Sequence, residues 1–300
     1  MGFILNPLYN IVSGIMIAIH KVLSPIFGAN SGVTWSLSIM GLVVLIRIIL
    51  IPLFVKQIKS QRAMTALQPQ MKAIQAKYKD DRQKQSEEMM KLYKEHKTNP
   101  LASCFPILAQ APVMFALFTV LNGIAHDKPH GFMKGEYLVS AAQAKFFGSP
   151  ISETFLGSDK LTVKIVTIFL IALMSATTFT TQKQLMTKGM PKMDASNNMM
   201  LQQQKIMLYL FPVIFAISGV NFPVGVLIYW STTNFWTWGQ QYYVIKRNPT
   251  PGSPAFEELE RKRAKKSGVV EPDPSDPSTP TAEEVKGQRE QPKKKKKKKK

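Results

Sequence analysis

Acidic side chains are missing from every long apolar stretch of this sequence. Residues 33–55, 101–124, 161–181, 206–218 and 224–245 contain no Asp or Glu. That excludes the buried carboxylates that coupled transporters and aspartyl intramembrane proteases rely on. Sulfur chemistry is as sparse: the one cysteine, Cys104, excludes an internal disulfide framework and reads as a small buried hydrophobe in an apolar run. His20, His96, His126 and His130 are scattered, with no partners at metal-ligand spacing, so no metal is expected. A GxxxxGK[ST] phosphate loop is also lacking, and no Ser/His pair lies within the apolar runs. Neither an enzyme nor a cofactor is therefore expected. The first charge is Lys21, with no basic segment before it, so neither a cleaved signal peptide nor an Arg-rich transit peptide is expected.

What is present is apolar length. The 300 residues are 45% hydrophobic, an ordinary average that hides a strong segregation into apolar runs and basic stretches. A membrane-spanning helix needs about 20 mostly apolar residues. The five runs above qualify or nearly do, at about Val33–Val55, Leu101–Ile124, Leu161–Thr181, Ile206–Ser218 and Val224–Ile245. The fold class expected is an all-α membrane protein with a core of five transmembrane helices. Residues 7–24 are different. Leu8, Ile11, Val12, Ile15, Ile19, Val22 and Leu23 form one helical stripe, with Asn10, Ser13, His20 and Lys21 elsewhere on the wheel. An amphipathic helix lying in the membrane interface explains this better than a sixth span does.

The net charge is +20, and its placement sets an orientation. Residues 56–100 carry eleven Lys/Arg and residues 125–160 carry four. Lys183, Lys188, Lys192 and Lys205 lie in residues 182–205, and residues 246–300 add seventeen more. The positive-inside rule places 56–100, 182–205 and 246–300 in the cytoplasm, which five spans satisfy together. The N-terminus and the 125–160 loop are then outside. Three divisions follow: an outer amphipathic helix in 1–32, a five-span core in 33–245, and a tail in 246–300.

Within 56–100, Met64, Leu67, Met71, Ile74 and Tyr78 recur at helical spacing. So do Met89, Leu92, Tyr93 and His96, after a polar break at Asp80–Asp81. This predicts a cytoplasmic helical hairpin with a coiled-coil-like seam. The tail from about Asn248 is rich in Pro, Ser, Lys and Glu and ends in eight lysines, Lys293–Lys300. It is expected to be disordered. Its cations suit ribosomal RNA or anionic lipid, and the plainer reading is a solvated tail.

Arg47 is the outstanding residue. It lies inside an apolar run, where an arginine at mid-bilayer costs at least about 2.5–3.5 kcal/mol. With no carboxylate in any run, its solvation must come from water, backbone carbonyls or neutral polar groups. Gln110, a cluster from Ser175 to Thr181, and the stripe Trp230, Asn234, Thr237 and Gln241 supply such groups. Together they would line a wet cavity around one positive charge, and Pro52 would free a backbone carbonyl near it. The plainer reading is an arginine that snorkels to the surface while the hydroxyls join helices.

At these residues the sequence resembles the YidC/Oxa/Alb insertases. LIRIILIPLF (45–54) is similar to their arginine-bearing first core span. The run 66–118 looks like their cytoplasmic hairpin and second core span, and FPVGVLIYWSTTNFWTWGQQYYV (222–244) resembles their last span. The likeness covers about residues 33–245 in order. It implies a membrane protein insertase and chaperone with a hydrophilic groove open to the cytoplasm and lipid. Arg47, Gln110, Trp230, Asn234 and Thr237 would face that groove. The hairpin, through Met64, Leu67, Met71, Met89 and Leu92, would capture substrate. The basic tail, for example Lys262, Arg263, Lys293 and Lys300, would contact ribosomes or lipid. Implied partners are nascent membrane proteins, the ribosome, the Sec translocon and membrane lipids, at a bacterial plasma membrane. The large outer domain of some members has no counterpart here, Val43 stands where some carry a hydroxyl, and the 125–160 loop matches nothing known of the family. A solute transporter or channel, or a passive ribosome or lipid tether, are the competing functions. No inverted repeat favours the first, and a tether does not need Arg47 within a span.

Overall fold

The computed structural model describes residues 2–96, 98, 101–190 and 198–266. The chain is almost wholly helical. α1 spans Gly2–Phe27, α2 Gly32–Ile49, α3 Ile51–Ala66, α4 Gln68–Lys77 and α5 Arg82–Glu95. α6 (Leu101–Ala125) leads into a segment holding α7 (Glu136–Gln143) and a two-stranded antiparallel ribbon, β1 (Lys145–Phe146) and β2 (Ser149–Pro150). α8 (Leu161–Gln184), α9 (Asn198–Gly219), α10 (Val224–Arg247) and α11 (Pro254–Lys266) follow.

Among the described residues, three helices are long and apolar enough to cross a membrane: Leu5–Phe27, Gly32–Ile49 and Leu161–Gly189. Gln110–Ala125 and Leu208–Gly219 are shorter apolar stretches. α10 has the length, 24 residues, but Tyr, Trp, Thr, Asn and Gln side chains dilute its apolar character. α10 packs on α8 and α2, α9 on α8, and α1 on α2 and α6. Trp35, Ile39, Leu42, Leu117, Val120, Val163, Leu170, Leu227 and Ile228 form the centre of the core.

Three sequence expectations change. First, the run to Val55 is not one helix. α2 closes at Ile49, where the Leu50 amide donates to the carbonyls of Ile46 and Ile48, and α3 starts one residue later with Pro52 in its first turn. Proline has no amide hydrogen to continue the ladder, so the break falls there. Second, residues 182–205 are largely helix: α8 runs to Gln184, a single π turn covers Leu185–Gly189, and α9 begins at Asn198. Third, the tail is not disordered from its start. Ser253 caps α11 through its hydroxyl, which accepts from the Phe256 amide at 3.3 Å. Pro254 opens the helix, Glu257 lies in its first turn, and Lys262 pairs with Glu258 one turn away at 2.6 Å. Each of these choices favours a short exposed helix. Residues 267–300, including Lys293 and Lys300, lie outside the described residues.

α1 is buried on a face that overlaps its apolar stripe, since Leu8, Val12, Ile15 and Ile19 pack against the core. Val12, Ser13, Met16, Ile17 and His20 pack inward, while Ile11 and Val22 are exposed. Along its length α1 meets the 125–160 segment and its neighbours. Tyr9 stacks on His130, the Ser13 hydroxyl accepts from the Phe132 amide at 2.8 Å, and His20 packs on Trp35 and Tyr137. Just past the end of α1, Ser140 on α7 donates to Asn30 at 2.8 Å and accepts from the Trp35 indole at 3.0 Å.

The same segment fixes both helices below it. Gly32 lies so close to the Lys145 carbonyl that a Cβ would sit 1.7 Å from that oxygen. Glu153 and Ile151 carbonyls accept from the amides of Val224 and Gly225 at 3.0 and 2.8 Å, capping the start of α10. These amides have no partner within their own helix, so the loop satisfies them.

A buried arginine between α2 and α10

Arg47 sits in the last turn of α2 and is buried, at 8% exposure. Its Nη2 donates to the Thr237 hydroxyl on α10 at 3.2 Å. That hydroxyl in turn donates to the Thr233 carbonyl at 2.8 Å, so its proton is committed to its own helix and its lone pairs are left for the guanidinium. The Phe54 ring, on the far side of the helix break, lies 5.4 Å from the guanidinium carbon. Among the described residues no carboxylate pairs with Arg47. The helix break supplies a substitute. The last turn of a helix carries about half a negative charge on its free carbonyls, and Arg47 is placed there.

A small void of about 10 Å³, room for one water at most, adjoins the arginine. Val43, Ile46, Gln110, Met114, Leu117, Tyr229 and Thr233 line it with Arg47. Of the residues singled out from sequence, the fold therefore brings Arg47, Gln110 and Thr237 into one neighbourhood. Asn234 turns to α8, where its side-chain amide donates to the Thr178 hydroxyl at 3.2 Å. Trp230 lies about 10 Å of helix rise from Thr237. It packs among Phe118, Phe215 and Phe222, with ring centroids at 6.4, 6.1 and 4.8 Å. Tyr229 and Thr233 were missed. With Thr237, which the stripe through Trp230 shares, they recur every four residues on α10 and face the charge, while Trp230 and Asn234 do not. The signal was present, one position out of phase.

A family model described as 60Kd inner membrane protein matches residues 26–251. The chain belongs to the 60Kd inner membrane protein family. Among its relatives is the membrane protein insertase YidC of Streptomyces avermitilis, 56% identical over 253 residues, which are 81% of this chain and 59% of that one. The YidC of Tropheryma whipplei strain TW08/27 is 38% identical over 87% of this chain and 89% of its own. A crystal structure of an active YidC insertase, with its first transmembrane domain resolved, shares the fold. Its TM-score is 0.51 at 24% identity, over 78% of this chain and 46% of that one. The chain thus spans little more than half the length of the Streptomyces relative and under half that of the solved one.

For a member of the 60Kd inner membrane protein family, the remaining sequence candidates fall in two places. α4 and α5 pair as a hairpin, with Asp81 capping α5 by accepting from the Lys84 amide at 3.0 Å. Leu67 and Leu92 are buried, and Met64, Met71 and Met89 are half-buried. The Tyr93 hydroxyl reaches the Met71 sulfur at 3.9 Å, and His96 and Gln70 are linked at 3.1 Å. Desolvation in this seam pushes the Tyr93 phenol above its ordinary pKa. Met71 and Gln70 thus tie α4 to Tyr93 and His96 at the end of α5, while Met90 is exposed and was not singled out. In the tail, Lys262 is exposed on α11 and paired with Glu258, and Arg263 follows it on the same helix.

Proposed function

We propose that this chain is a membrane protein insertase and chaperone, acting without cofactor or catalysis, alone or beside the Sec translocon. The observation that carries the reading is Arg47: a buried cation in a membrane-capable helix, held by one neutral hydroxyl and a helix end. A cation so placed lacks a full counter-charge. It lowers the barrier for an acidic or polar segment of a client entering the same region, because that segment brings the missing charge. The client's apolar segment then partitions into lipid through the hydrophobic effect. No nucleotide is required for either step.

The architecture proposed with this function has α2, α6, α8, α9 and α10 as five spans. α1 lies along the outer interface, as its contacts with residues 130–140 suggest. The N-terminus and the 125–160 segment are outside. The hairpin, the α8–α9 connection and the tail are in the cytoplasm of a bacterial cell. The hairpin delivers nascent membrane proteins towards Gln110 and Arg47. The tail, through Lys262, Arg263 and the lysines from Lys293 to Lys300, holds the ribosome by salt-sensitive phosphate contacts.

Reconstitution tests this. The purified full chain is placed in liposomes with a single-span client whose outer tail is acidic, and tail translocation is scored by protease protection. Wild type protects the tail and Arg47→Ala does not. Equal protection by both overturns the role given to the charge. Protection by neither returns the transporter and tether readings.

A further inference from the structure

A second concavity lies on the other side of the α2–α3 break from the Arg47 cavity. It is far larger, at about 560 Å³. That lies within the roughly 300–1,000 Å³ of ordinary ligand pockets. Ile51, Phe54 and Val55 of α3 form one wall, and Phe235, Trp236 and Tyr243 of α10 form the other. Gly239 lies at the back, and a Cβ built on it would meet nothing within 4 Å. Phe235 and Tyr243 are 60% and 61% exposed. The groove is almost wholly apolar until its end, where the chemistry changes. Lys56 directly follows Val55, and Arg247 lies between Val244 and Asn248, two of the lining residues. Both cations are exposed, neither has an ion-pair partner among the described residues, and α3 and α10 contain no acidic residue.

We propose that this groove holds an anionic phospholipid, its acyl chains against Ile51, Phe54, Phe235 and Tyr243 and its phosphate between Lys56 and Arg247. The geometry matches an amphiphile in three respects. The apolar trough runs along the helices, as an acyl chain does. Tyr243, one turn before Arg247, marks the interfacial depth, where amphipathic rings concentrate. The cations stand beyond that depth, where a headgroup lies, and basic clefts between membrane helices favour anionic headgroups. Other exposed apolar side chains, such as Ile165, Ile168 and Phe169 on α8, adjoin no comparable concavity among the cavities described. They face lipid without such selectivity. A helix of a client or of a second copy would fill the trough equally well, but it would leave two cations without an anion.

The test uses the full chain in phosphatidylcholine vesicles that contain a minor fraction of one lipid with brominated chains. That lipid is either phosphatidylglycerol or phosphatidylcholine. Bromine quenches nearby indoles, and the Trp236 contribution is the part of the quenching lost in Trp236→Phe. We expect brominated phosphatidylglycerol to occupy the site about fivefold more often than brominated phosphatidylcholine, the preference one well-placed cation gives. The double variant Lys56→Gln, Arg247→Gln makes the two lipids equal. Gly239→Leu fills the trough and removes Trp236 quenching by both, without lowering the melting temperature. Equal quenching of wild type by the two lipids overturns the proposal, as does undiminished quenching in Gly239→Leu. Absence of quenching by either lipid also overturns it and assigns the groove to a protein segment. Insertion activity is not the readout, so the outcome is independent of the insertase reading.

Discussion

The two ends of the helical bundle are built on opposite principles. At the end facing residues 125–160, polar groups are matched and space is filled. Trp35 is fully buried and hydrogen-bonded, Gly32 touches a neighbouring backbone, and the first amides of α10 are capped by a loop. At the end where α2 breaks, a cation is buried with one hydroxyl partner, and two cavities flank the break. The first arrangement is what stability asks for. The second retains a destabilising group and empty space, which a protein keeps where function needs them. The contrast teaches that one bundle can be tightly matched at one end while keeping a buried charge and open space at the other.

Four changes break or sharpen that contrast. The largest effect is expected at the closed end: Trp35→Ala leaves a cavity and removes the hydrogen bond to Ser140, costing about 3–5 kcal/mol, with melting temperature and insertion falling together. At the open end the two readouts should separate. Arg47→Met removes a buried charge without a full counter-charge, so the melting temperature holds or rises, by up to about 4 kcal/mol of stability, while insertion of an acidic-tailed client drops to the protein-free background. A parallel loss of stability in Arg47→Met would erase the distinction between the two ends. Thr237→Val keeps the volume but removes the acceptor for the guanidinium. A cost of about 1.5 kcal/mol is expected, read as a lower melting temperature, with insertion weakened but present.

The smallest effect concerns the Glu153–Lys160 contact at the closed end. Desolvation raises the Glu153 pKa, but hydrogen bonds from Lys160 and Ser158 and the charges of Lys160 and Lys145 outweigh it, and the net shift is downward. A carboxylate with a depressed folded-state pKa contributes stability that is full above its unfolded pKa, near 4.3, and is lost as pH falls through the lower folded value. The pair is partly exposed, so the contribution is below about 1 kcal/mol. Wild type should melt slightly above Glu153→Gln at neutral pH, and the two should converge in acid. A constant difference down to acid pH would assign the effect to packing.

Much of this molecule was legible before folding. Apolar length placed α2 and α8, which are long and apolar enough to cross a membrane, and the shorter apolar stretches of α6 and α9, because such runs must leave water whatever they pack against. Charge asymmetry and the lack of carboxylates singled out Arg47, because a lone cation in an apolar run is costly wherever it points. Helical period placed the hairpin, because its seam repeats locally. These inferences use only near neighbours in the chain.

Tertiary structure alone decided what depends on distant partners. It ended α2 at Ile49, with Arg47 at the helix terminus. It turned Tyr229 and Thr233 towards that charge and sent Trp230 into an aromatic cluster, a choice that one hundred degrees of helix rotation makes and that a polar stripe shared by two faces does not settle. It buried Ser13 and His20 of α1 while exposing Ile11, because packing on α2, α6 and residues 130–140, and not the period of α1 itself, assigns its faces. It also organised residues 125–160, whose order comes from side chains of α1 and backbone amides of α10 more than one element away. Sequence thus fixes the cost of each group, and the fold determines which other group offsets it.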